Sequence, residues 1–181
     1  MSRIPYPADD ELDADAQAVL ASLPPLNIVR MFAGAPAALG PLTDLGKAIL
    51  LHAELDPRLR QLAILTVARV TGSVYERAQH ENVSRMVGVP DAEIQAVADD
   101  DMAALEETAR AVVRFAAEIA RDVQASEEST AAVLSLLGRR QTTELVVCCA
   151  YYSAVARIIA TCGVELEDEL PTANMEAGDW E

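Results

Sequence analysis

The chain contains few aromatic residues, few cysteines, few histidines and no useful length of alternating strand pattern. Aromatic side chains make up 4% of its 181 residues and hydrophobic residues 51%, so its core has to consist mainly of aliphatic side chains. Such a set, rich in alanine and leucine, favours helices. We therefore expect an all-α helical bundle with a sizeable core in a single domain.

Positive charge is also scarce, with 14 basic against 29 acidic side chains and a net charge of −15. A surface of this sign repels nucleic acid and anionic membranes, and no basic stripe interrupts it. No apolar run approaches the ~20 residues that span a bilayer. The acidic N-terminal stretch MSRIPYPADDELDADA lacks the apolar core of a signal peptide. These features predict a cytoplasmic protein with no nucleic-acid or membrane partner.

The three cysteines are Cys148, Cys149 and Cys162, which lie in one apolar stretch. An odd number in such a place does not form a disulfide framework, and a reduced compartment is expected. A free cysteine in apolar surroundings is usually a small buried hydrophobic residue. We therefore expect no redox role for these thiols.

Proline, glycine and capping residues divide the chain into predicted helices. These cover residues 9–23, 41–53, 57–71, 74–87, 89–100, 102–123, 126–138 and 139–163. The predicted organisation is an N-terminal helix and Pro-rich arm over 1–40, a helical core over 41–163 and an acidic tail over 164–181. The tail is either solvated or laid on a neighbouring subunit. The last helix is apolar on most faces, which favours a place at the centre of the bundle or in a subunit interface.

The stretch GSVYERAQHENVSRMVG contains the candidate site. Glu76 and His80 are four residues apart, so a helix puts them on one face. A carboxylate beside an imidazole favours the charged ring and provides proton transfer near neutral pH.

A structural interpretation of the same residues stays open. Ser73 and Glu76 fit the S-x-x-E capping box, in which Glu76 reaches back to the Ser73 amide. A zinc site would need a third ligand, and His52 is distant in sequence. No metal is therefore expected.

The helix pair LDPRLRQLAILTVARVTGSVYERAQHENVSRMVGV, with PDAEIQAV after it, resembles the carboxymuconolactone decarboxylase and alkylhydroperoxidase D-like superfamily. The resemblance continues through LPPLNIVRMFAGAPAALGPLTDLGKAIL upstream and TTELVVCCAYYSAVARIIATCGVELED downstream. It covers nearly the whole chain. The fold that it implies is an all-α bundle assembled as a trimer or a dimer of trimers, with the active site near the N-terminal end of the His80 helix and close to a subunit interface.

The peroxidase branch of this superfamily has a C-x-x-C motif, a following histidine and a glutamate one helix earlier. On this chain the cysteines fall at Ser73 and Glu76, the histidine at His80 and the glutamate at Gln61. A serine and a glutamate cannot form the disulfide that this chemistry needs. The chain is instead similar to the decarboxylase-like branch, which keeps the histidine, often with an acid one turn before it.

The resemblance implies a cofactor-independent lyase that acts on a small lactone or carboxylate. His80 would donate a proton or stabilise the dienolate oxygen, and Glu76 would orient and charge it. Candidate supporting residues are Ser73, Tyr75, Gln61 and Glu144. For Glu144 the alternative is a structural pair with an arginine. An anionic substrate needs a local cation, for which the candidates are Arg58, Arg60, Arg69 and Arg77.

Two alternatives remain. One is a thiol peroxidase, disfavoured by Ser73 and Glu76, and the other is a non-catalytic helical oligomer in which the capping box is the only role of these residues. A pocket at Glu76 and His80 would favour catalysis, whereas solvent exposure with Glu76 turned onto Ser73 would favour the structural interpretation.

Overall fold

The computed structural model describes residues 2–168, and this part of the chain is all-α, as predicted. It contains no strand. Its α-helices are α1 Ala14–Ala21, α2 Asn27–Phe32, α3 Pro36–Lys47, α4 Pro57–Thr71, α5 Val74–Met86, α6 Asp91–Asp99, α7 Glu107–Asp122 and α8 Glu127–Cys162. Two short 3-10 helices, Asp9–Glu11 and Met102–Ala104, and a π-helical turn, Ala48–His52, complete the helical elements.

Several helix ends follow from local chemistry as predicted. Asp56 caps α4 by accepting the Leu59 N–H, and Pro57 occupies the first turn. Gly72 ends this helix with φ 69°, a left-handed conformation that favours glycine. Gly138, with φ 73° and ψ 172°, interrupts α8 where a boundary between two helices was predicted.

Other boundaries differ from the prediction. The helix expected over 102–123 is a 3-10 turn followed by α7, because the Asp101 carboxylate accepts the Ala103 N–H and Leu105 is extended. The helix expected from Pro41 begins at Pro36, so Pro41 lies inside α3. The first helix begins only at Ala14, since Asp13 caps it through the Ala16 N–H.

The chain divides into two compact units. One combines the chain up to Leu51 with the part that begins at Arg157, and the other is His52–Ala156. In the first unit, α3 packs against α1 and α2.

The described part of the predicted tail, residues 164–168, is held by this first unit. The Glu165 N–H donates to the Tyr6 hydroxyl over 3.2 Å, and Glu167 accepts the Asn27 N–H at 2.7 Å. Val164 is buried. These residues are therefore bound to the first unit, and contact of their exposed sides with a neighbouring subunit stays a prediction. The remainder of the predicted tail lies outside the described residues.

Helix α4 is the centre of the second unit and packs against α5, α6 and α7. The sequence predicts one buried face for it, but its ten residues from Leu59 to Ala68 are all buried. Arg60 and Gln61 are among them. In this unit the central helix is α4, and the alternative place predicted for the last helix, a subunit interface, stays a prediction.

Within this unit, α8 buries one face and exposes another. Leu145, Cys148 and Cys149 are buried, whereas Val146 and Val147 are exposed. Helix α8 is also the one helix in residues 2–168 that is long and apolar enough to cross a membrane by length and composition. The core helix of a soluble protein meets the same criterion, so this finding is weak.

Candidate active site

The turn between α4 and α5 places the candidate residues. The Ser73 hydroxyl caps α5 by accepting the Glu76 N–H at 3.4 Å. The Ser73 N–H already donates to the Ala68 carbonyl oxygen at 2.8 Å. Glu76 therefore has no amide to reach back to. The reciprocal half of the predicted capping box is absent, and the Glu76 carboxyl group is left for another role.

The Glu76 carboxyl group is buried without a hydrogen-bonding partner. The residue is 3% exposed, and neither carboxyl oxygen has a partner of good hydrogen-bonding geometry within residues 2–168. Burial raises its pKa to about 8, while the nearby Ser73 hydroxyl lowers it in part. Glu76 is thus mostly protonated at neutral pH and can donate a proton.

His80 lies one turn further along α5 and is 8% exposed. Its Nδ1 is 2.9 Å from Oε1 of Gln61. Since an amide oxygen only accepts, Nδ1 carries the hydrogen and Nε2 keeps its lone pair in the neutral ring. Burial, together with the positive charge of Arg60, lowers the pKa of His80 to about 3.

The expected charging of His80 by Glu76 is therefore wrong. The imidazole is neutral, and Gln61 rather than Glu76 orients it. The two residues share a face, as their spacing predicts, but each is in its neutral form. In this pair Glu76 carries a proton, and His80 has an acceptor at Nε2.

Two tyrosines of α8 complete the arrangement. The Tyr152 ring packs edge-on against His80 with 4.8 Å between ring centroids, and Tyr151 packs edge-on against Tyr152 at 5.2 Å. Burial, with Glu76 nearby, raises the pKa of Tyr151 to about 12. We call Arg60, Gln61, Glu76, His80, Tyr151 and Tyr152 the buried polar cluster.

The four candidate arginines have different environments. Arg58 binds Glu93 through two hydrogen bonds of 2.6 and 2.7 Å. Arg69 pairs with Asp100 and Arg77 with Glu81, both at 2.7 Å. Arg60 has no acidic partner within the described residues and is 4% exposed.

Glu144 has a structural role. Its Oε2 accepts the Leu55 N–H at 2.7 Å, and its Oε1 accepts from Nε of Arg140 at 3.2 Å. Burial alone would raise its pKa, but the N–H groups of Glu54 and Leu55 together with Arg140 lower it. Glu144 thus anchors the segment before α4, and pairing with an arginine was one of the predicted roles. Tyr75 is buried on α5.

A cleft of about 160 Å³ lies at the junction of α4, α5 and α6. Ser73 is in its lining, together with Arg69, Arg77, Glu81 and apolar residues, whereas Glu76 and His80 are not. The cleft therefore opens beside the start of α5, and the predicted pair is not in its wall.

Known proteins resemble this chain in sequence and in fold. The family model "Carboxymuconolactone decarboxylase family" matches residues 36–122, which include Gln61, Glu76 and His80. Over these residues the chain is similar to the carboxymuconolactone decarboxylase family. No curated protein matches the sequence.

Two solved structures show the superfamily fold over nearly the whole chain. One is an alkylhydroperoxidase AhpD core, an uncharacterised peroxidase-related protein from Ralstonia eutropha JMP134, with a TM-score of 0.77, 19% identity, and coverage of 93% of this chain and 94% of that one. The other is an uncharacterised peroxidase-related protein from Silicibacter sp. TM1040, with a TM-score of 0.79, 17% identity and 93% coverage of both chains. At these identities the likeness concerns the fold alone.

The two buried thiols, Cys148 and Cys149, differ from the reactive cysteines of a thiol peroxidase. Burial raises the pKa of Cys148 to about 12 and that of Cys149 well above its usual value. Such groups do not form thiolates near neutral pH, so they are poor nucleophiles. Within residues 2–168, no group of three or more histidine, cysteine or acidic side chains could hold a metal ion.

Sequence reasoning included Arg60 only as one of four equal candidates. Nothing in the sequence near Arg60 distinguishes it from the other three arginines. Its position in the helical repeat fits a surface residue as well as a buried one. The hydrogen bond between Gln61 and His80 likewise joins residues 19 positions apart.

Proposed function

We propose that the chain is a cofactor-independent acid–base enzyme of the decarboxylase-like branch, acting on a small lactone or carboxylate. The observation that carries the proposal is the neutral, unpartnered Glu76 carboxyl group one helical turn from a neutral His80. A buried acid whose pKa is raised towards neutrality is suited to general acid catalysis. A purely structural glutamate would have its oxygens hydrogen-bonded.

The reaction that fits these groups is loss of CO₂ from a carboxylated butenolide. The bond between the carboxylate carbon and the ring breaks, and its electron pair moves into the conjugated lactone carbonyl to give a dienolate. Glu76 then donates its proton to carbon, which yields the enol-lactone. Solvent reprotonates the Glu76 carboxylate, so the overall reaction consumes one proton and releases one CO₂.

Gln61 and His80 would position and stabilise the reacting species. Nε2 of Gln61 is buried without a partner within the described residues, so it can donate to the developing dienolate oxygen. The Oε1 atom of the same amide orients His80. His80 Nε2 is left to accept a hydrogen bond from the substrate or from a water.

Thiol peroxidase chemistry is the less suitable alternative. It requires a low-pKa thiolate beside a second cysteine. Here Ser73 and Glu76 occupy the two motif positions, and the pKa values of Cys148 and Cys149 are raised. The peroxidase-related names of the two structural neighbours belong to those proteins.

We further propose that the enzyme is a cytoplasmic homotrimer or a dimer of trimers that binds a small-molecule substrate. Exposed aliphatic side chains on α8, Leu134, Leu136, Val146 and Val147, support association. Light scattering coupled to size-exclusion chromatography measures the assembly. A monomer across the micromolar range would contradict it.

The proposed activity is tested with carboxylated and uncarboxylated butenolides. CO₂ release and ultraviolet absorbance are followed for the wild type, Glu76→Gln and Glu107→Gln. We expect Glu76→Gln to lower kcat by roughly 10²- to 10⁴-fold, the usual contribution of a general acid. Glu107 is exposed on α7 and serves as the control. Equal turnover by the wild type and Glu76→Gln would exclude the mechanism.

A further inference from the structure

Arg60 is a buried cation that forms no ion pair within the described residues. Its Nη1 donates to the Leu55 carbonyl oxygen at 3.3 Å, and its Nε is buried without a partner. Burial lowers its pKa, although an arginine stays protonated under ordinary conditions. An uncompensated buried charge is costly and calls for an anion.

The groups around Arg60 do not supply that anion. Cys148 and Tyr152 lie within electrostatic reach, but burial raises the pKa of both groups, so they are neutral near pH 7. His80 is neutral as well. The cluster therefore holds one uncompensated positive charge in a chain whose net charge is −15.

The two nearest acidic side chains have other partners. Asp56 accepts the Leu59 N–H at 3.1 Å as the cap of α4. Glu144 accepts from the Leu55 N–H and from Arg140. The negative charges of both carboxylates act on the buried guanidinium from a distance and favour its charged form. Neither carboxylate contacts it.

We infer that Arg60 is the anion-binding residue of the buried polar cluster and that it binds the carboxylate of a small organic ligand. Because Nη1 donates to the Leu55 carbonyl oxygen, the edge of the guanidinium that remains is formed by Nε and Nη2, and Nε on that edge is buried without a partner within the described residues. That pair matches the two oxygens of a carboxylate. One positive charge balances one carboxylate, whereas a doubly charged phosphate would leave a buried negative charge.

His80 provides a local reporter for this binding. The charge of Arg60 lowers the His80 pKa, so an anion on Arg60 alters the electrostatic environment of that ring. Only the statement that the bound carboxylate belongs to a substrate rests on the proposed function. The binding itself is measured without turnover.

The experiment titrates the ¹⁵N-histidine-labelled full chain with acetate, propanoate and benzoate at constant ionic strength. The matched amides and inorganic phosphate are titrated in parallel. We expect saturable shifts of the His80 ring with carboxylates and none with amides or phosphate. Arg60→Gln should weaken binding by at least about tenfold, as expected for loss of a buried charged partner.

Two further variants make the test decisive. Arg60→Lys keeps the charge without the paired donors, so intermediate affinity is expected. Arg85→Gln removes an exposed arginine that is paired with Asp91 and should leave the affinity unchanged. Circular dichroism shows whether each variant is folded. If Arg60→Gln is unfolded, Arg60→Lys replaces it as the test variant, and its carboxylate binding should be weaker than that of the wild type.

The possible outcomes separate this inference from the proposed function. Arg60-dependent carboxylate binding without turnover of any lactone supports the anion site and contradicts the function. Turnover with an unchanged KM in both Arg60 variants overturns the anion site and leaves the function standing. Absence of saturable carboxylate binding, or equal binding by the wild type and Arg60→Gln, also overturns it. So does phosphate binding stronger than carboxylate binding.

Discussion

The Oε1 atom of Gln61 lies 2.9 Å from Nδ1 of His80, across the contact between α4 and α5. This bond determines the tautomer of the ring, because an amide oxygen can only accept. The peroxidase branch of the superfamily that the sequence resembles has a glutamate at the place of Gln61, whereas this chain is similar to the decarboxylase-like branch. A neutral amide there removes the negative charge that would favour an imidazolium. The neutral state of His80 follows from burial and from the positive charge of Arg60.

Replacement of Gln61 by leucine tests this relationship. Gln61→Leu removes the acceptor at Nδ1, so we expect the single Nδ1–H tautomer of His80 to become a mixture. The measurement is the ¹⁵N chemical shifts of the two ring nitrogens between pH 6 and 8, about the range where an unperturbed histidine titrates. Exposed His52 gives the other ring signals of the chain and serves as an internal reference. An unchanged His80 tautomer in Gln61→Leu contradicts the proposed role of the amide.

A second prediction concerns stability and is independent of the site. Burial alone would raise the pKa of Glu118, but hydrogen bonds from Ser126, Ser129 and Arg114 lower it to about 2. Since this is below the ordinary value of 4.5, the bonds stabilise the folded state above pH 4.5. That contribution is lost as the pH falls from 4.5 to about 2.

We expect Glu118→Gln to destabilise the fold by about 1 to 2 kcal/mol at pH 7, typical of hydrogen bonds to a charged acceptor. The difference from the wild type should shrink towards pH 2. Urea unfolding measures it, and Glu107→Gln on the same helix is the control, with an effect within about 0.5 kcal/mol. If both variants lost the same free energy of unfolding, the cause would be the loss of a negative charge on α7 and not the loss of the hydrogen bonds to Glu118.

Local parts of this fold could be predicted from sequence because the physics that sets them is local. Asp56 and Gly72 mark the ends of α4, and Ser73 caps α5. The shared face of Glu76 and His80 follows from helical periodicity. The superfamily resemblance comes from the same helix pair.

The chemistry of the site could not be predicted because it depends on tertiary packing. The sequence around Glu76 does not show that its carboxyl oxygens lack partners. The Ser73 N–H that a capping box would offer them donates to the Ala68 carbonyl oxygen instead. The burial of Arg60 and Gln61 comes from the packing of other helices around α4. The pKa values of Glu76 and His80 follow from that burial, so their neutral states required the structure.

The third prediction distinguishes proton chemistry from thiol chemistry. The wild type should consume hydroperoxide in the presence of a dithiol no faster than the uncatalysed blank. The double variant Ser73→Cys/Glu76→Cys restores the C-x-x-C spacing at a helix N-terminus, a place that lowers thiol pKa. We expect this variant to form an intramolecular disulfide, measured by thiol alkylation and mass spectrometry. Rapid peroxide reduction by the wild type contradicts the acid–base proposal.

The fourth prediction uses the raised pKa of Glu76, about 8 against an ordinary value of 4.5. The folded state binds this proton more tightly than the unfolded state, so the contribution to stability is fully present below pH 4.5. It is lost as the pH rises from 4.5 through about 8. Each unit of pKa difference corresponds to about 1.4 kcal/mol.

Glu76→Gln isolates that contribution because glutamine is neutral and of similar size. We expect the variant to gain stability relative to the wild type as the pH rises from 5 to 9, a range that brackets the raised pKa of about 8. Urea unfolding at four pH values measures the difference, and Glu107→Gln controls for the loss of one surface charge. A pH-independent difference between Glu76→Gln and the wild type would show that Glu76 is ionised throughout. In that case the group could not be the proton donor, because a carboxylate has no proton to give.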